Sequence, residues 1–305
     1  MIKIILFLIC VLIEIGAIAQ QKPSFSQYYV NDMLVNPAVS GSKNFNPLTF
    51  QTRQQWLGFE GAPLTSIISY HGAVNNRSAF GGYLMFDRAY PATNGNFQFN
   101  YAYHLQLDDN YTNLSFGIGA KLMYHNLDFN DGDLPPGEDP AFSYNSYDKL
   151  LSDASSGVYL YSRNFYAGFS VSNILQSTFN DPVSNSPYSN SVFRNYYAMG
   201  MYRFKILNND WNFEPSFLIR KMQFTRNITD LTARFLYRED TWAGLTYRTN
   251  KTAVFSFGFV ANKMCISYSY DHTFSGTISK ESLGSHELGI ILRIPSYVTD
   301  RRLNF

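Results

Sequence analysis

Histidine is the residue type in this chain with the most obvious capacity for metal chemistry. The five histidines are His71, His104, His125, His272 and His286, and no two of them have the spacing of a zinc motif. His286-Glu287 begins like the His-Glu-x-x-His helix of zinc proteases, but position 290 is isoleucine, so the second histidine ligand is missing. The sequence therefore offers no zinc motif, and we expect no metal and no cofactor.

Ser115 and His104 could lie side by side, because they fall in neighbouring candidate strands. Hydrolysis by such a pair would use the serine as nucleophile and the histidine as its base. Serine is so frequent in this chain that a neighbour of this kind is expected by chance. We therefore favour a structural histidine held by hydrogen bonds, and we predict no catalytic residues.

An acidic stretch near the middle of the chain could attract calcium through Asp128, Asn130, Asp131, Asp133, Glu138 and Asp139. These residues miss the spacing of an EF-hand, and Pro135-Pro136 interrupts the stretch. The favoured interpretation is an acidic loop in water.

The composition excludes two broad classes of protein. The 305 residues include 23 Tyr, 26 Phe and 3 Trp but only 15% charged residues, which argues against disorder. The formal net charge is +1, and no cluster of Lys and Arg is present to neutralise phosphates. We therefore expect no nucleic-acid partner.

Residues 1–19 have the pattern of a secretory signal peptide. Lys3 gives a positive start, Ile4 to Ile13 is apolar, and Ala17-Ile18-Ala19 has the small-x-small form of a cleavage site. A membrane anchor is the alternative, but Glu14 interrupts the run, which is then shorter than the roughly 17–25 residues that a spanning helix needs. We expect an exported protein with Cys265 as its remaining cysteine.

Alternation of apolar and polar residues dominates the rest of the chain. One face of a candidate strand carries Phe97, Phe99, Tyr101, Tyr103, Leu105 and Leu107, and the residues between them are almost all polar. Successive side chains of a strand point to opposite faces, so this period predicts a half-apolar strand. No further run approaches 18 apolar residues, which excludes a helical membrane protein. Helical periodicity is weak except for a turn or two at 145–153. The fold class is all-β.

Parity and turn residues predict fourteen strands, at 47–57, 63–74, 78–88, 95–107, 112–127, 154–162, 164–174, 193–206, 211–221, 224–237, 241–248, 253–260, 264–272 and 284–294. Short links follow the even-numbered strands. The three long links, Asp128 to Asp153, Leu175 to Val192 and Thr273 to Leu283, all follow odd-numbered strands. Outer-membrane barrels sort their loops in this way, with short periplasmic turns and long external loops.

The main alternative to a membrane barrel is a secreted β-sandwich, and charged residues on one strand face distinguish the two folds. Arg226, Asp230 and Arg234 share one parity of a single segment. Unpaired charges in a dry sandwich core would cost several kcal/mol each, whereas a wet or plugged lumen lets them pair or hydrate. We therefore predict one transmembrane antiparallel β-barrel over residues 46–305. Residues 20–45 precede it and could form a plug or a periplasmic contact.

An ordered series of short motifs spans almost all of the predicted mature chain: Gln27-Tyr28, Asn36-Pro37-Ala38, Arg53-Gln54-Gln55-Trp56-Leu57-Gly58, Tyr101-Ala102-Tyr103-His104, Ser172-Asn173-Ile174, Gly244-Leu245-Thr246-Tyr247-Arg248 and Gly284-Ser285-His286-Glu287-Leu288. This series resembles the PorP/SprF family of outer-membrane proteins of the type IX secretion system. Two features depart from the family pattern. Tyr90-Pro91 stands where Gly-Pro is expected, and the end lacks the Cys-Pro of many members.

The resemblance implies a non-enzymatic protein of the cell outer membrane that acts in protein secretion or gliding motility. Some members of the family belong to the machinery and are linked to periplasmic ring or peptidoglycan-binding components. Others retain a secreted surface protein or adhesin at the cell surface through its C-terminal domain. The alternative for a fourteen-stranded barrel is a diffusion porin. In either case we expect outer-membrane lipid as a partner.

Two groups of residues are candidate sites. Parity places Arg53 and Gln55 in the lumen with Asp271 and Glu287, and Arg53 could meet Glu287 where the last strand closes on the first; Arg226, Asp230 and Arg234 belong to the same structural set. The aromatic residues of the long loops are candidates for contact with a partner, because aromatic side chains are enriched at interface hot spots. These are Phe142, Tyr144, Tyr147, Tyr188 and Phe193.

Overall fold

The computed structural model of the chain describes residues 24–108, 112–128, 146–179, 190–206, 210–223, 225–238, 240–274 and 281–298. The side chains of residues 146, 147, 179, 190 and 191 lie outside this description. The predicted signal peptide also lies outside the described residues.

Seventeen strands account for most of the described chain, and they are β1 (Phe45–Gln54), β2 (Leu64–Ala73), β3 (Ser78–Ala89), β4 (Ala92–Gln106), β5 (Asn113–Asp128), β6 (Ser146–Tyr161), β7 (Phe165–Ser172), β8 (Thr178–Phe179), β9 (Asn190–Ser191), β10 (Asn195–Tyr202), β11 (Phe204–Ile206), β12 (Trp211–Met222), β13 (Ile228–Tyr237), β14 (Thr241–Arg248), β15 (Thr252–Ala261), β16 (Met264–Thr273) and β17 (Ser285–Pro295). β8 and β9 pair only with each other.

The other strands close into an antiparallel barrel. Each pairs with its neighbours in the chain, β1 also pairs with β17, and β10 pairs with both β7 and β12. Arg203 separates β10 from its short continuation β11, and the two together count as one strand of the barrel. The barrel thus has fourteen strands, as the alternation of the sequence predicted. Among the described residues, no helix is long and apolar enough to cross a membrane.

The barrel wall is apolar outside and polar inside. In β4, Phe97 and Phe99 are exposed to 43% and 48%, whereas Gln98 and Asn100 are buried. Phe99 also stacks on the outward Phe80 of β3, with ring centroids 5.5 Å apart. An outward apolar surface suits lipid, and inward polar groups need partners within the lumen.

The segment from 146 to 153 is a strand, so the prediction of a helical turn at 145–153 and of a loop reaching Asp153 was wrong. β5 and β6 are paired from Asn113↔Tyr161 to Asp128↔Ser146. Leu151 is buried with Met123 and with Val192 from the following loop. This contact with residues distant in sequence favours the extended conformation over the local helical pattern.

The two ends of the barrel differ. One end carries the connections 74–77, 107–112, 162–164, 207–210, 238–240 and 262–263, and we call it the short-turn end. The other, the long-loop end, carries 55–63, 129–145, 173–194 and 274–284 together with three tighter turns. β1 begins and β17 ends at the short-turn end.

Residues 24–44 form the buried core of the molecule, and we call them the inner segment. They contain two 3-10 helices, Asp32–Leu34 and Pro37–Val39. Apolar side chains of the inner segment, including Tyr28, Tyr29, Val30, Met33 and Ala38, pack with inward residues of the wall. Those wall residues include Tyr159, Tyr161, Tyr166, Met199, Leu218 and Trp242.

Candidate functional site

The inner segment lies inside the lumen, because it contacts inward residues on opposite walls. The Tyr28 hydroxyl lies 2.8 Å from Ser216 Oγ of β12, and the Tyr29 hydroxyl donates to Ser256 Oγ of β15 at 2.9 Å. On the far side, Asn31 Nδ2 donates to Ser69 Oγ of β2 at 2.9 Å. A chain that reaches β2, β12 and β15 of a closed barrel through their inward side chains can only be within it.

Ser26 is the point at which the inner segment meets the charged residues of the wall. Its backbone nitrogen donates to Glu287 Oε2 at 2.7 Å, and its hydroxyl donates to Asp271 Oδ2 at 2.6 Å. Arg53 pairs with Asp271 at 2.8 Å and with Glu287 at 3.3 Å, and also donates to the Ser26 hydroxyl. Gln51 Nε2 donates to Glu287 Oε1 at 2.6 Å. Each of these carboxylates therefore has several donors, which is the condition for burying it.

The charged network continues around the wall through Arg248. This residue donates to Asp230 at 2.8 Å, lies 3.5 Å from Asp271, and donates to Ser26 Oγ at 3.0 Å. Arg220 also pairs with Asp230, at 2.6 Å. The network holds three arginines and three carboxylates, so its formal charges balance. We call it the Ser26 network: Arg53, Arg220, Arg248, Asp230, Asp271 and Glu287.

A second charged group lies closer to the short-turn end. Glu214 of β12 accepts hydrogen bonds from Arg203 at 2.6 Å and from Arg234 of β13. The Arg234 guanidinium also lies over the Tyr29 ring, 4.2 Å from its centroid, which joins this group to the inner segment. Tyr29 in turn meets the Trp242 ring edge to face, with centroids 5.3 Å apart.

Residues 36–41 pack against the lumen wall at the short-turn end. The Ser115 hydroxyl donates to the carbonyl of Ala38 at 2.8 Å, and His104 Nε2 lies 2.9 Å from the carbonyl of Ser40. The backbone nitrogen of Gly41 donates to His71 Nδ1 at 2.9 Å. The inner segment thus runs from the Ser26 network, at the long-loop ends of β1 and β16, to the short-turn end of the barrel.

His104 and Ser115 are register partners in β4 and β5, as the sequence allowed. Both side chains bond to the inner segment, and His104 Nδ1 also lies 2.9 Å from the Tyr161 hydroxyl. Within the described part of the chain, no three His, Cys, Asp or Glu side chains come together as metal ligands. The arrangement is that of a structural contact between wall and segment.

A barrel with an apolar outer surface agrees with the comparison to known families, which gives a membrane protein. The model of the type IX secretion system membrane protein PorP/SprF matches residues 17–292. The chain belongs to the PorP/SprF family. It is accordingly an outer-membrane protein, as its motif series and its barrel predicted.

Solved structures similar to this PorP/SprF protein are distant in sequence. The toluene transporter TodX of Pseudomonas putida has 12% identity and a TM-score of 0.47, with 86% of this chain and 92% of that chain covered. A FadL homologue of Pseudomonas aeruginosa has 9% identity and a TM-score of 0.46, covering 84% and 89%. BamA of Haemophilus ducreyi has 8% and 0.43, covering 82% and 71%. No curated protein sequence matches the chain.

The predicted lumen residues of this PorP/SprF protein do not all come together. Arg53, Asp271, Glu287 and Asp230 come together in the Ser26 network, and Arg234 joins Glu214 instead. Gln55 lies just past the end of β1 and is half-buried, with its backbone nitrogen bonded to the carbonyl of Pro63.

Arg226 does not face the lumen, and its assignment there was wrong. β13 begins only at Ile228, so Arg226 lies in the turn after β12 with its side chain exposed. Strand parity holds only within a strand, and here it was extended across a turn.

Sequence reasoning did not name Ser26, Arg203 or Arg248 as site residues. Their signal is weak, because a serine in a segment without periodicity and single arginines on alternating strands are ordinary features. Arg248 and Asp271 lie on β14 and β16, on either side of β15, and the inner segment brings Ser26 to both of them.

The predicted partner-contact residues lie mostly beyond the described chain. Phe142, Tyr144, Tyr188 and the side chain of Tyr147 fall outside it. Phe193 is described; it is half-buried before β10, and its carbonyl accepts a hydrogen bond from Asn173 Nδ2 at 3.0 Å.

Apolar side chains are exposed at the long-loop end within the described residues. The loops 55–63 and 274–284 are joined by two backbone hydrogen bonds, from Leu57 nitrogen to the Gly284 carbonyl at 2.8 Å and from Leu283 nitrogen to the Leu57 carbonyl at 2.9 Å. Leu57, Phe59 and Leu283 are exposed on this paired structure, with Leu283 at 67%. We call these three residues the rim patch.

Proposed function

We propose that this protein is a closed, non-enzymatic barrel that helps to secrete a partner protein or retains it at the cell surface through the partner's C-terminal domain. The observation that supports this most directly is the inner segment, which occupies the lumen and bonds to its walls. A barrel built around its own chain is suited to serve as a fixed membrane scaffold for other proteins.

Occupation of the lumen argues against the alternative of a diffusion porin. A porin keeps an aqueous channel between its polar inner walls. Here the inward side chains of β2, β12, β15 and β16 bond to Tyr28, Tyr29, Asn31 or Ser26. A water-filled path would require these contacts to break together.

The rim patch is a suitable contact surface for a secreted partner. Leu57, Phe59 and Leu283 are held by the backbone pairing of their two loops, so little conformational entropy would be lost when they bind. Contact of Phe142, Tyr144 and Tyr147 with the partner, which the sequence predicts, is part of the same proposal. An apolar patch at a fixed position fits the anchor role better than transport.

Deletion of the gene that encodes this protein, followed by complementation, tests the proposal. Without the barrel, at least one secreted protein should fail to leave the periplasm or should appear in the medium instead of on the cell. Mass spectrometry of cell-surface, periplasmic and medium fractions measures this distribution. An identical distribution of every secreted protein in the presence and absence of the chain would contradict the proposal.

Variants then separate the contact surface from the barrel itself. Combined Leu57→Ser, Phe59→Ser and Leu283→Ser replacement should shift the partner into the medium while barrel levels stay normal. Val74→Ser is the matched control, because Val74 is equally apolar and 60% exposed but lies at the short-turn end. If the partner stays bound to cells that carry the triple variant, the rim patch is not the docking surface.

A further inference from the structure

A pocket of about 70 Å³ lies inside the barrel at the short-turn end, between the wall and the inner segment. Its wall side includes Phe45 at the start of β1, Val260 near the end of β15 and Arg293 near the end of β17. Tyr29, Val30 and Lys43 of the inner segment form the opposite side. Residues 38–41 contact a different part of the wall at this end, on β2, β4 and β5.

All charged side chains that line this pocket in the described chain are cations. They are Lys43, Arg203, Arg234 and Arg293. Lys43 and Arg203 are more than nine-tenths buried. The described carboxylates bonded to these cations stand behind the lining: Asp32 lies 3.3 Å from Lys43, and Glu214 serves both Arg203 and Arg234. Among the described residues, two carboxylates thus pair with Lys43, Arg203 and Arg234, and Arg293 is the lining cation outside these pairs.

Arg293 is the cation that this arrangement leaves incomplete. Its guanidinium lies over the Phe45 ring, 5.1 Å from the centroid, and its buried Nε has no hydrogen-bond partner among the described residues. A buried donor without an acceptor costs free energy, and partial burial of the guanidinium without a counter-charge adds to that cost. An anion in the pocket would remove both costs.

The chemistry of the lining indicates which anion fits. Arginine guanidinium groups bind carboxylates through paired, directional hydrogen bonds. The rest of the lining is mostly apolar and includes Val30 of the inner segment and Leu236, Trp242 and Ile291 of the wall. A single water needs roughly 10–15 Å³ of such space, so a pocket of about 70 Å³ admits a small group only. A carboxylate attached to a short branched alkyl group meets all three conditions.

We propose that this pocket binds an organic carboxylate that carries a short apolar group. Either the C-terminal residue of a polypeptide or a free short-chain acid could supply it from the short-turn end. The site does not depend on the proposed secretion role, since it can be measured on the purified barrel without any partner.

Calorimetric titration of the purified full-length protein in detergent tests the site with three probes. These are acetyl-Gly-Val with a free carboxylate, the same peptide as its C-terminal amide, and isobutyrate. We expect the free acid to bind and the amide to bind at least tenfold more weakly. Isobutyrate binding as tightly as the peptide would identify a free acid as the source, and weaker isobutyrate binding would identify a polypeptide C-terminus. Equal binding of acid and amide, or no binding of either acid at millimolar concentration, would overturn the proposal.

Variants connect the binding to this pocket. Arg293→Gln should weaken the acid at least tenfold, whereas Arg238→Gln should leave it unchanged, because Arg238 is an exposed arginine at the same end. Val260→Phe provides a second variant that fills the pocket without changing its charge, and it should also abolish binding. Undiminished binding in both folded pocket variants would show that the carboxylate binds elsewhere and would overturn the assignment.

Discussion

The side chain of Asn36 lies directly against Gly157 of β6, and no other residue type would fit at that position without a shift. A Cβ atom at 157 would stand 2.1 Å from Asn36 Oδ1. The same oxygen accepts a hydrogen bond from the backbone nitrogen of Ala38 at 3.0 Å, and Asn36 Nδ2 donates to the carbonyl of Val158 at 3.0 Å. Gly157 thus allows the inner segment to approach the wall closely at Asn36.

Gly157→Ala should loosen the inner segment while leaving the barrel intact. The added methyl group must displace Asn36 and break its two hydrogen bonds, whereas the outward face of β6 is unchanged. Hydrogen exchange measured by mass spectrometry should show faster exchange over residues 27–42. Gly95→Ala is the matched control, because the nearest atom to its new Cβ is Tyr124 Cβ at 3.7 Å. Equal exchange in the two variants would mean that Gly157 does not hold the segment.

Asp271→Asn should destabilise the barrel strongly. Asp271 accepts from Arg53, Arg248 and Ser26, so its neutralisation leaves the three arginines of the Ser26 network with two carboxylates. Breaking one partner of a buried pair typically costs about 3–5 kcal/mol. Urea unfolding followed by tryptophan fluorescence measures the change in the free energy of unfolding.

Asp210→Asn is the control for this measurement. Asp210 pairs with Arg238 at 3.4 Å, but both side chains are about half exposed or more, so the loss should be at most about 1 kcal/mol. A loss for Asp271→Asn as small as that for Asp210→Asn would show that the Ser26 network adds little to stability.

The barrel itself was predictable because strand parity is a local property that repeats fourteen times. Alternation at 97–107 marked β4, and the closure of the last strand on the first suggested the neighbourhood of Arg53 and Glu287. Parity failed where a strand begins later than its pattern, as at Arg226 before β13. Parity also failed to mark residues 146–153 of β6, where Leu151 packs with the distant Val192.

The path of the inner segment was not predictable from the sequence. Its two 3-10 helices are single turns, which are too short to show a period. Its bonds to the wall join residues more than two hundred positions apart, such as Ser26 and Asp271. Composition could suggest a plug, but only the closed wall determines which side chains meet it.

The orientation of the barrel gives a third prediction. Outer-membrane barrels place short turns in the periplasm, so the loop 55–63 should face the outside and the turn 74–77 the periplasm. A cysteine at Glu60 should react with an impermeant maleimide on intact cells, whereas a cysteine at Asn76 should react only after permeabilisation. Both positions are exposed, and the native Cys265 is buried, which keeps the background low. Labelling of Asn76→Cys alone on intact cells would reverse the orientation.

Ion conductance tests whether the inner segment closes the lumen. Intact protein in a planar bilayer should conduct poorly, because the segment bonds to walls on both sides of the barrel. A variant without residues 24–43 should conduct through stable open channels, since it loses the apolar residues Tyr28, Val30 and Met33 together with the contacts of Ser26. Heat-modifiable migration on a gel verifies that the shortened chain still forms a barrel.

Gly157→Ala provides an intermediate case for the same measurement. It retains every residue of the inner segment, so its channels should open only briefly, with a mean conductance between those of the intact and shortened proteins. Gly95→Ala should behave as the intact protein does. Stable, porin-like conductance from the intact chain would show that ions pass despite the segment, and the diffusion-porin alternative would then explain the barrel better than a closed scaffold.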